Sequence, residues 1–229
     1  MLFRSGQLRA IGIRSDADFD RTAATPQSEY TAVVQAMRNK GSNYAQCTGQ
    51  YTCTVNMRKE ATLQGVTSVK VWDCGVQCYD KKFIASGGAD VENEYVDTLF
   101  LPFYDKKEQK ANKMLANYVK YTGANNVDGF GDYAWAAGVA FRDAVNAVVK
   151  KDGVNGLTRA NLFTALNGIH AFNADGMFGT IDLAGRVASP CHVLMQVQKG
   201  QFVRVSPTKP GTFDCAKKNL VHVQLNLFS

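Results

Sequence analysis

Six cysteines are the residues of this sequence with the most definite chemistry, because they stand in three local pairs. The pairs are Cys47 with Cys53, Cys74 with Cys78, and Cys191 with Cys215. An even number of paired cysteines is typical of disulfides and therefore of an oxidising compartment. A four-cysteine zinc site from the first two pairs is an alternative, although zinc sites usually have a tighter C-x2-C spacing. Six free thiols are the third alternative, and disulfides are the interpretation that we favour.

No catalytic motif accompanies these cysteines. The sequence contains no G-x-S-x-G, no H-E-x-x-H and no P-loop. Its histidines, His170, His192 and His222, are isolated, and a lone titratable group without an orienting partner is not an active site. We therefore predict that the protein has no catalytic residue, no bound metal and no cofactor.

The composition excludes several classes of protein. A chain of 229 residues with 45% hydrophobic and 10% aromatic residues has enough apolar surface to fold, which excludes general disorder. The longest nearly unbroken apolar stretch, Ala134 to Phe141, is far shorter than the roughly 20 residues that span a bilayer. The net charge of +6 is spread over scattered lysine doublets, so we predict solvated faces and no binding to nucleic acid.

The first residues carry no export signal, although disulfides would require export. Met1 to Arg9 contain neither an apolar h-region nor a small-residue cleavage site. The letters LFRS after Met1 match what the end of a common sequencing adapter encodes in one frame. We therefore expect Met1 to Ser5 to be a read artefact, and the true gene to extend upstream of this fragment.

The elements that must position these residues alternate between helix and strand as far as Pro102. The pattern predicts strands at 44–46, 66–72 and 95–103, and helices at 25–41, 56–64 and 79–86. Such alternation is typical of a parallel α/β sheet. Later in the chain it predicts helices at 106–121, 128–151 and 158–168, a strand at 177–183, and a hairpin with strands at 191–198 and 201–205.

Several weak features follow a definite order along the chain. Strand-and-loop segments at 44–51 and 71–76 come first, and the helical segment YAWAAGV follows at 133–139. Near the end, G-x-I-D-L at 179–183 precedes VQKGQFVRV at 197–205. This order resembles the second half of the type I periplasmic binding proteins, specifically the substrate-binding subunits of branched-chain amino acid ABC transporters. The resemblance covers residues from about Gln7 to Phe213 and lies in the order of the features rather than in one motif.

The resemblance implies an α/β protein with the two-lobe type I periplasmic-binding-protein-like fold, truncated at its N-terminus. The two lobes of this fold are joined by three crossings and close on a ligand by hinge motion. Residues 6–101 would form the incomplete C-terminal lobe, residues 102–190 part of the N-terminal lobe, and residues 191–229 the return and the tail. In such a fragment the two long helices would expose apolar faces.

The resemblance also places a ligand in the cleft between the lobes, at loops that follow the carboxyl ends of strands. The residues that it implies for ligand binding are Gly49, Gln50, Tyr51, Asp73, Cys74, Gly75, Phe130 and Tyr133. Cys74 stands where the family often has a carboxylate for the ligand ammonium, and Asp73 comes one residue early. Either the loop shifts so that Asp73 reaches the ligand, or the ligand is not an amino acid.

The function implied by the resemblance is that of a solute-binding protein, which performs no chemistry. It would deliver a small polar solute, such as a branched-chain amino acid or an amide, to an ABC transporter permease. It would be periplasmic or extracellular. Its only contact with the membrane would be a lipid anchor on the missing N-terminus. The alternatives are the ligand-binding ectodomain of a sensory receptor and, from a different class, a secreted α/β enzyme.

Overall fold

The computed structural model describes residues 12–14 and 24–221. These residues form two compact units. The first unit contains the described residues up to 97 with 195–203 and 220–221, and the second contains 98–194 and 204–219. The predicted artefact at Met1 to Ser5 and the histidine His222 lie outside the described residues. The assignment of 6–101, 102–190 and 191–229 to lobes stays a prediction.

The first unit contains the parallel strands that the alternating pattern predicts. These strands are β1 (Tyr44–Gln46), β2 (Val71–Cys74) and β3 (Tyr95–Thr98). They pair in parallel, with Ala45 opposite Trp72 and Cys74 opposite Val96. A hairpin completes the sheet in the order β1-β2-β3-β4-β5, and its strands are β4 (Val193–Gln198) and β5 (Gln201–Ser206).

Helices pack on the side of the sheet that carries Ala45 and Trp72. The helices of the first unit are α1 (Thr31–Lys40), α2 (Tyr51–Leu63) and α3 (Lys81–Gly87). Helix α1 ends at Gly41, whose φ of 62° is the left-handed conformation that favours glycine. Apolar residues at helical spacing in and around α1 and α2 form the core with Ala45 and Trp72: Tyr30, Val33, Val34, Met37, Cys53, Met57, Ala61 and Val69.

A buried arginine–glutamate pair lies beside this core. The guanidinium of Arg58 is 4.6 Å from the ring centre of Trp72, and its Nε is 3.7 Å from a carboxyl oxygen of Glu94. Arg58 also donates hydrogen bonds to the carbonyl oxygens of Asp90 and Glu92. Glu94 is fully buried, and neither of its carboxyl oxygens accepts a hydrogen bond. Burial raises the pKa of Glu94 to about 8, although the charge of Arg58 acts in the opposite direction.

The second unit combines capped helices with an aromatic core. Its helices are α4 (Lys106–Ala111), α5 (Lys113–Thr122), α6 (Gly129–Asp152) and α7 (Arg159–Leu166). Each helix is preceded by a side chain that accepts a hydrogen bond from a backbone N–H near the helix start. These N-caps are Asp105, Asn112, Asp128 and Thr158. The rings that form the aromatic core are those of Phe100, Phe103, Tyr118, Tyr133 and Phe178.

Several element boundaries differ from the sequence prediction. The predicted helix at 106–121 is interrupted at Asn112, which has extended backbone and caps α5 through the N–H of Leu115. Strand β2 begins at Val71 rather than at residue 66. The N–H groups of Lys70 and Val71 both donate to the carbonyl of Asn43, so pairing with the short strand β1 starts only there.

The predicted strand at 177–183 is wrong. This region forms only isolated bridges, which join Phe100 with Phe178, Phe172 with Ile181, and Asp182 with Val187. Turns interrupt it on both sides, because Ala174, Asp175 and Arg186 have positive φ angles. The helix predicted to begin at residue 56 is also wrong in its start, since α2 begins at Tyr51.

One side of α6 carries exposed apolar residues. Phe130 and Phe141 are 65% and 54% exposed, and Ala134, Ala137 and Gly138 between them are exposed as well. These five positions share one face of a helix, because they follow the spacing of its turns. Of the helices in the described part of the chain, none has the length and apolarity needed to cross a membrane.

All six cysteines lie at disulfide distance from their sequence partners, which confirms the prediction of disulfides. In the second unit, the pair Cys191–Cys215 closes a segment with a sequence separation of 24. A buried ion pair holds the same segment, because Glu108 accepts hydrogen bonds from Arg204 and from the N–H of Gly211. The segment that follows β5 is therefore held in two ways, by Glu108 of α4 and by the disulfide Cys191–Cys215.

We predict that replacing Cys191 and Cys215 together with alanine lowers the free energy of unfolding by about 3 kcal/mol, because the unfolded chain regains the entropy of a long closed loop. Urea denaturation of the wild-type and double-variant chains under oxidising conditions measures this difference. The wild-type chain in the presence of a reductant is the control. Equal denaturation midpoints for the wild type and the double variant would contradict a stabilising role for this disulfide.

We predict that the stability of the first unit falls as the pH rises from about 4.5 to about 8, because folded Glu94 keeps a proton that the unfolded chain releases. Glu94→Gln should reduce this pH dependence, since glutamine has no proton to lose. Urea midpoints at pH 5, 6, 7 and 8 measure the effect, with Glu29→Gln at an exposed position as the matched control. An identical slope in Glu94→Gln and in the wild type would exclude Glu94 as its source.

Candidate functional site

The loops that follow β1 and β2 lie at one edge of the sheet, because the two strands are parallel. The first loop connects β1 to α2 and contains Thr48, Gly49 and Gln50, all of which are exposed. The second loop follows Cys74, the last residue of β2, and begins with Gly75. The carboxyl edge of a parallel sheet is where open α/β proteins bind their ligands.

A disulfide closes each of these loops. Cys47 and Cys53 bridge the first loop and the first turn of α2, with a sequence separation of 6. Cys74 and Cys78 bridge the second loop, with a separation of 4, and both are fully buried. Sequence reasoning found these pairs as disulfide candidates but did not connect them to the shape of the loops.

The two loops contact each other. The side-chain amide of Gln77 donates a hydrogen bond of 3.2 Å to the carbonyl oxygen of Cys47. The buried hydroxyl of Thr54, on α2, lies 3.5 Å from the sulfur of Cys74 and 3.6 Å from that of Cys78. These contacts connect the two disulfide-closed segments, which we call the paired loops (residues 47–53 and 74–78).

The paired loops offer backbone groups rather than charged side chains. Gln50 is the N-cap position of α2, has extended backbone, and forms no side-chain capping bond. Tyr51, the first residue of α2, is half-buried. At Gly75 a side chain would bring its Cβ within 3.1 Å of the amide oxygen of Gln77, so the second loop has little room there. A small ligand with an anionic or carbonyl group suits such a helix start, where the helix dipole favours negative charge.

Asp73 lies inside β2 and not in a loop. One oxygen of its carboxylate accepts hydrogen bonds from the hydroxyl of Tyr44 at 2.9 Å and from the amide of Gln46 at 2.8 Å. Burial raises the pKa of Asp73, and these two hydrogen bonds act against that rise. Because side chains alternate along a strand, Asp73 points to the face of the sheet opposite to Trp72 and Cys74. The period-two spacing of Tyr44 and Gln46 was a sequence signal for these partners.

Phe130 and Tyr133 both lie in the first turns of α6, in the second unit. Phe130 is 65% exposed, so its ring is accessible. The ring of Tyr133 packs against those of Phe100 and Phe178, with centre-to-centre distances of 5.8 and 5.4 Å. Tyr133 therefore takes part in the aromatic core of its own unit.

His170 and His192, the two histidines in the described part of the chain, each lie beside one polar side chain. Nδ1 of His170 lies 3.1 Å from a carboxyl oxygen of Asp182, a pair that the sequence analysis missed. The pKa of Asp182 is lowered mainly by the N–H of Gly185, so this carboxylate belongs to a turn. His192 lies beside Asn219. Among residues 12–14 and 24–221, no group of three histidine, cysteine or acidic side chains could hold a metal ion.

Several solved structures share the fold of this chain. The leucine-binding protein of Thermotoga maritima has a TM-score of 0.68 and 17% identity, over 87% of this chain and 53% of its own. A branched-chain amino acid ABC transporter protein of Thermus thermophilus, with bound valine, has a TM-score of 0.64 and 16% identity, over 87% and 53%. A fatty acid ABC transporter substrate-binding protein of Thermomonospora curvata has a TM-score of 0.64 and 14% identity, over 83% and 48%.

The present chain spans about half the length of these structures. No curated protein matches its sequence. The sequence pattern of a family described as periplasmic binding protein matches residues 7–201, which is most of the chain. With the parallel sheet and the three structures above, this match shows that the chain belongs to the type I periplasmic binding proteins.

Proposed function

We propose that this chain is part of an extracytoplasmic solute-binding protein that delivers a small polar solute to an ABC permease. The observation that carries the proposal is the pair of disulfide-closed loops at the carboxyl edge of a parallel sheet, in a chain of this family. The solute class is a branched-chain amino acid or an amide-like molecule, supported by the leucine and valine named for two structures of the same fold. The protein binds and releases this solute without chemical change.

The paired loops supply the contacts of the first unit in this proposal. Backbone groups at Gly49, Gln50 and Gly75 bind the polar end of the solute, and the ring and hydroxyl of Tyr51 bind beside them. The start of α2 favours a carboxylate or a carbonyl oxygen through its dipole. Cys74 contributes only its backbone, because its sulfur is part of a disulfide. A ligand role for Phe130 and Tyr133, at the start of α6, stays a prediction from the resemblance.

Binding assays with defined solutes test this function. Isothermal titration calorimetry of the 229-residue chain with L-leucine, L-valine, butyramide and laurate compares the proposed classes with the fatty acid class. We expect saturable binding of an amino acid or of the amide, and recovery of the probe unchanged. Binding of laurate alone, absence of binding to all four probes, or turnover of a probe would contradict the proposal.

Asp73 separates the two proposed solute classes. An amino acid carries an ammonium group that pairs well with a carboxylate, whereas an amide does not need one. If the solute is an amino acid, Asp73→Asn should weaken its binding by about ten-fold or more, because a hydrogen bond between charged groups is lost. The amide should bind the variant as it binds the wild type.

Asp97→Asn is the matched control for this variant, because Asp97 is an exposed acid on β3. Both substitutions exchange one carboxylate for an amide of the same shape within the sheet. If Asp97→Asn and Asp73→Asn change leucine binding equally, Asp73 has no specific role at the ligand. Unchanged leucine binding in Asp73→Asn would also show that Asp73 has no specific role at the ligand.

A further inference from the structure

Two of the three disulfides belong to the paired loops and not to the general framework of the fold. Cys47–Cys53 and Cys74–Cys78 have sequence separations of only 6 and 4, whereas Cys191–Cys215 has a separation of 24. A short closed loop removes little entropy from the unfolded chain, so the two short bridges add less to global stability than the long one. Their main physical effect is on the local order of the residues between the bridged cysteines.

We propose that these two disulfides are positioning groups, which hold the paired loops in the conformation that binds the solute. The inference rests on the proposed function, because it assigns the solute to these loops. Thr48, Gly49 and Gln50 are exposed and include a glycine, so without a bridge they would sample many conformations. Every conformation that must be abandoned on binding lowers the affinity, and a bridge that limits them in advance raises it.

The contacts between the loops make the two bridges act together. The carbonyl of Cys47 accepts the hydrogen bond from Gln77, which lies inside the second bridged segment. Thr54, next to Cys53 on α2, places its hydroxyl against both sulfurs of the second bridge. Loss of the Cys47–Cys53 bridge therefore releases one partner of the second loop, and the change extends from residues 47–53 to residues 75–78.

The two bridges differ in burial, and this difference determines which variant is informative. Cys74 and Cys78 are fully buried, so their replacement disturbs the packing below the sheet edge. Cys47 is half-buried just after β1, whereas Cys53 is buried in the first turn of α2 and belongs to the core. Of the two bridges in the paired loops, only Cys47–Cys53 therefore has a cysteine that is partly accessible, and its replacement disturbs buried packing at one position rather than two.

The experiment compares two disulfide variants of the 229-residue chain by hydrogen–deuterium exchange. In the double variant Cys47→Ala with Cys53→Ala, we expect backbone exchange about ten-fold faster in residues 47–53, and a smaller increase in 75–78. The double variant Cys191→Ala with Cys215→Ala is the matched control, which should leave exchange in both segments unchanged. Unaltered exchange in the first variant would overturn the proposal, as would equal acceleration of every segment of the first unit.

A third variant, Gln77→Leu, keeps every disulfide and removes only the hydrogen bond between the loops. We expect faster exchange in residues 75–78 with no change in 47–53, since the first bridge is intact. This variant keeps the proposal testable if the Cys47 and Cys53 variant does not fold. Wild-type exchange of 75–78 in Gln77→Leu would show that the loops are independent and would overturn the coupling.

Binding of L-leucine and L-valine to the same variants connects loop order with affinity. We expect about ten-fold weaker binding in the Cys47 and Cys53 variant and no change in the Cys191 and Cys215 control, because only the first variant must order its loops on binding. If the Cys47–Cys53 disulfide had only a structural role, its removal would weaken binding only to the extent that it also lowers the stability measured by the urea midpoint. If the wild type binds neither these amino acids nor butyramide, the proposed function fails with the ligand part of this inference. If the wild type binds and the Cys47 and Cys53 variant keeps both its affinity and its loop exchange, only the positioning role is overturned.

Discussion

The parallel pairing of β1 with β2 is the constraint on which the candidate site depends. It brings the ends of both strands to one edge of the sheet, so the loops that follow them become neighbours. It also decides which side chains face the helices, where Ala45 and Trp72 join the core of α1 and α2. A shift of β2 by one residue would turn Trp72 outward and Asp73 into the core. The loss of the apolar contacts of Trp72 opposes such a shift.

Each unit places a buried arginine beside a buried glutamate where the chain returns from a loop. In the first unit, Arg58 on α2 reaches the carbonyls before β3 and lies beside Glu94. In the second, Arg204 in β5 lies against Glu108 on α4, which also binds the backbone of Gly211. Desolvation offsets much of the attraction in such pairs, so they add little stability. Their main effect is to favour one arrangement of the segments that they connect. They connect segments that are distant in the sequence.

The paired loops combine small exposed residues with covalent closure. Glycine at 49 and 75 would allow the backbone to approach a ligand closely. The conformational freedom of glycine would also leave the loops poorly ordered before binding. The disulfides at 47–53 and 74–78 limit that freedom without filling the space that the glycines leave open. The paired loops themselves contain no charged side chain. The affinity of such a site therefore depends on the conformational order of the loops as well as on their contacts with the ligand.

Short-range patterns predicted the elements whose residues interact mainly with their near neighbours. Strand β1 has the bounds predicted for it, α1 ends at the predicted Gly41, and α6 lies within one residue of its predicted range. The predictions failed where pairing with a distant segment decides the result. Strand β2 begins where Asn43 can accept its N–H groups, and residues 177–183 find no continuous partner strand.

The sequence by itself therefore determined the class of fold and the local disulfides, because periodicity, turn residues and cysteine spacing are properties of short segments. The resemblance to the family came from the order of weak features along the chain. Only the tertiary structure decided how those parts combine. It turned Asp73 toward Tyr44 and Gln46, packed Tyr133 among aromatic rings, and joined two loops through Gln77 and Thr54. The physical reason is that these contacts depend on strand register and on residues far apart in the chain, which no local pattern encodes.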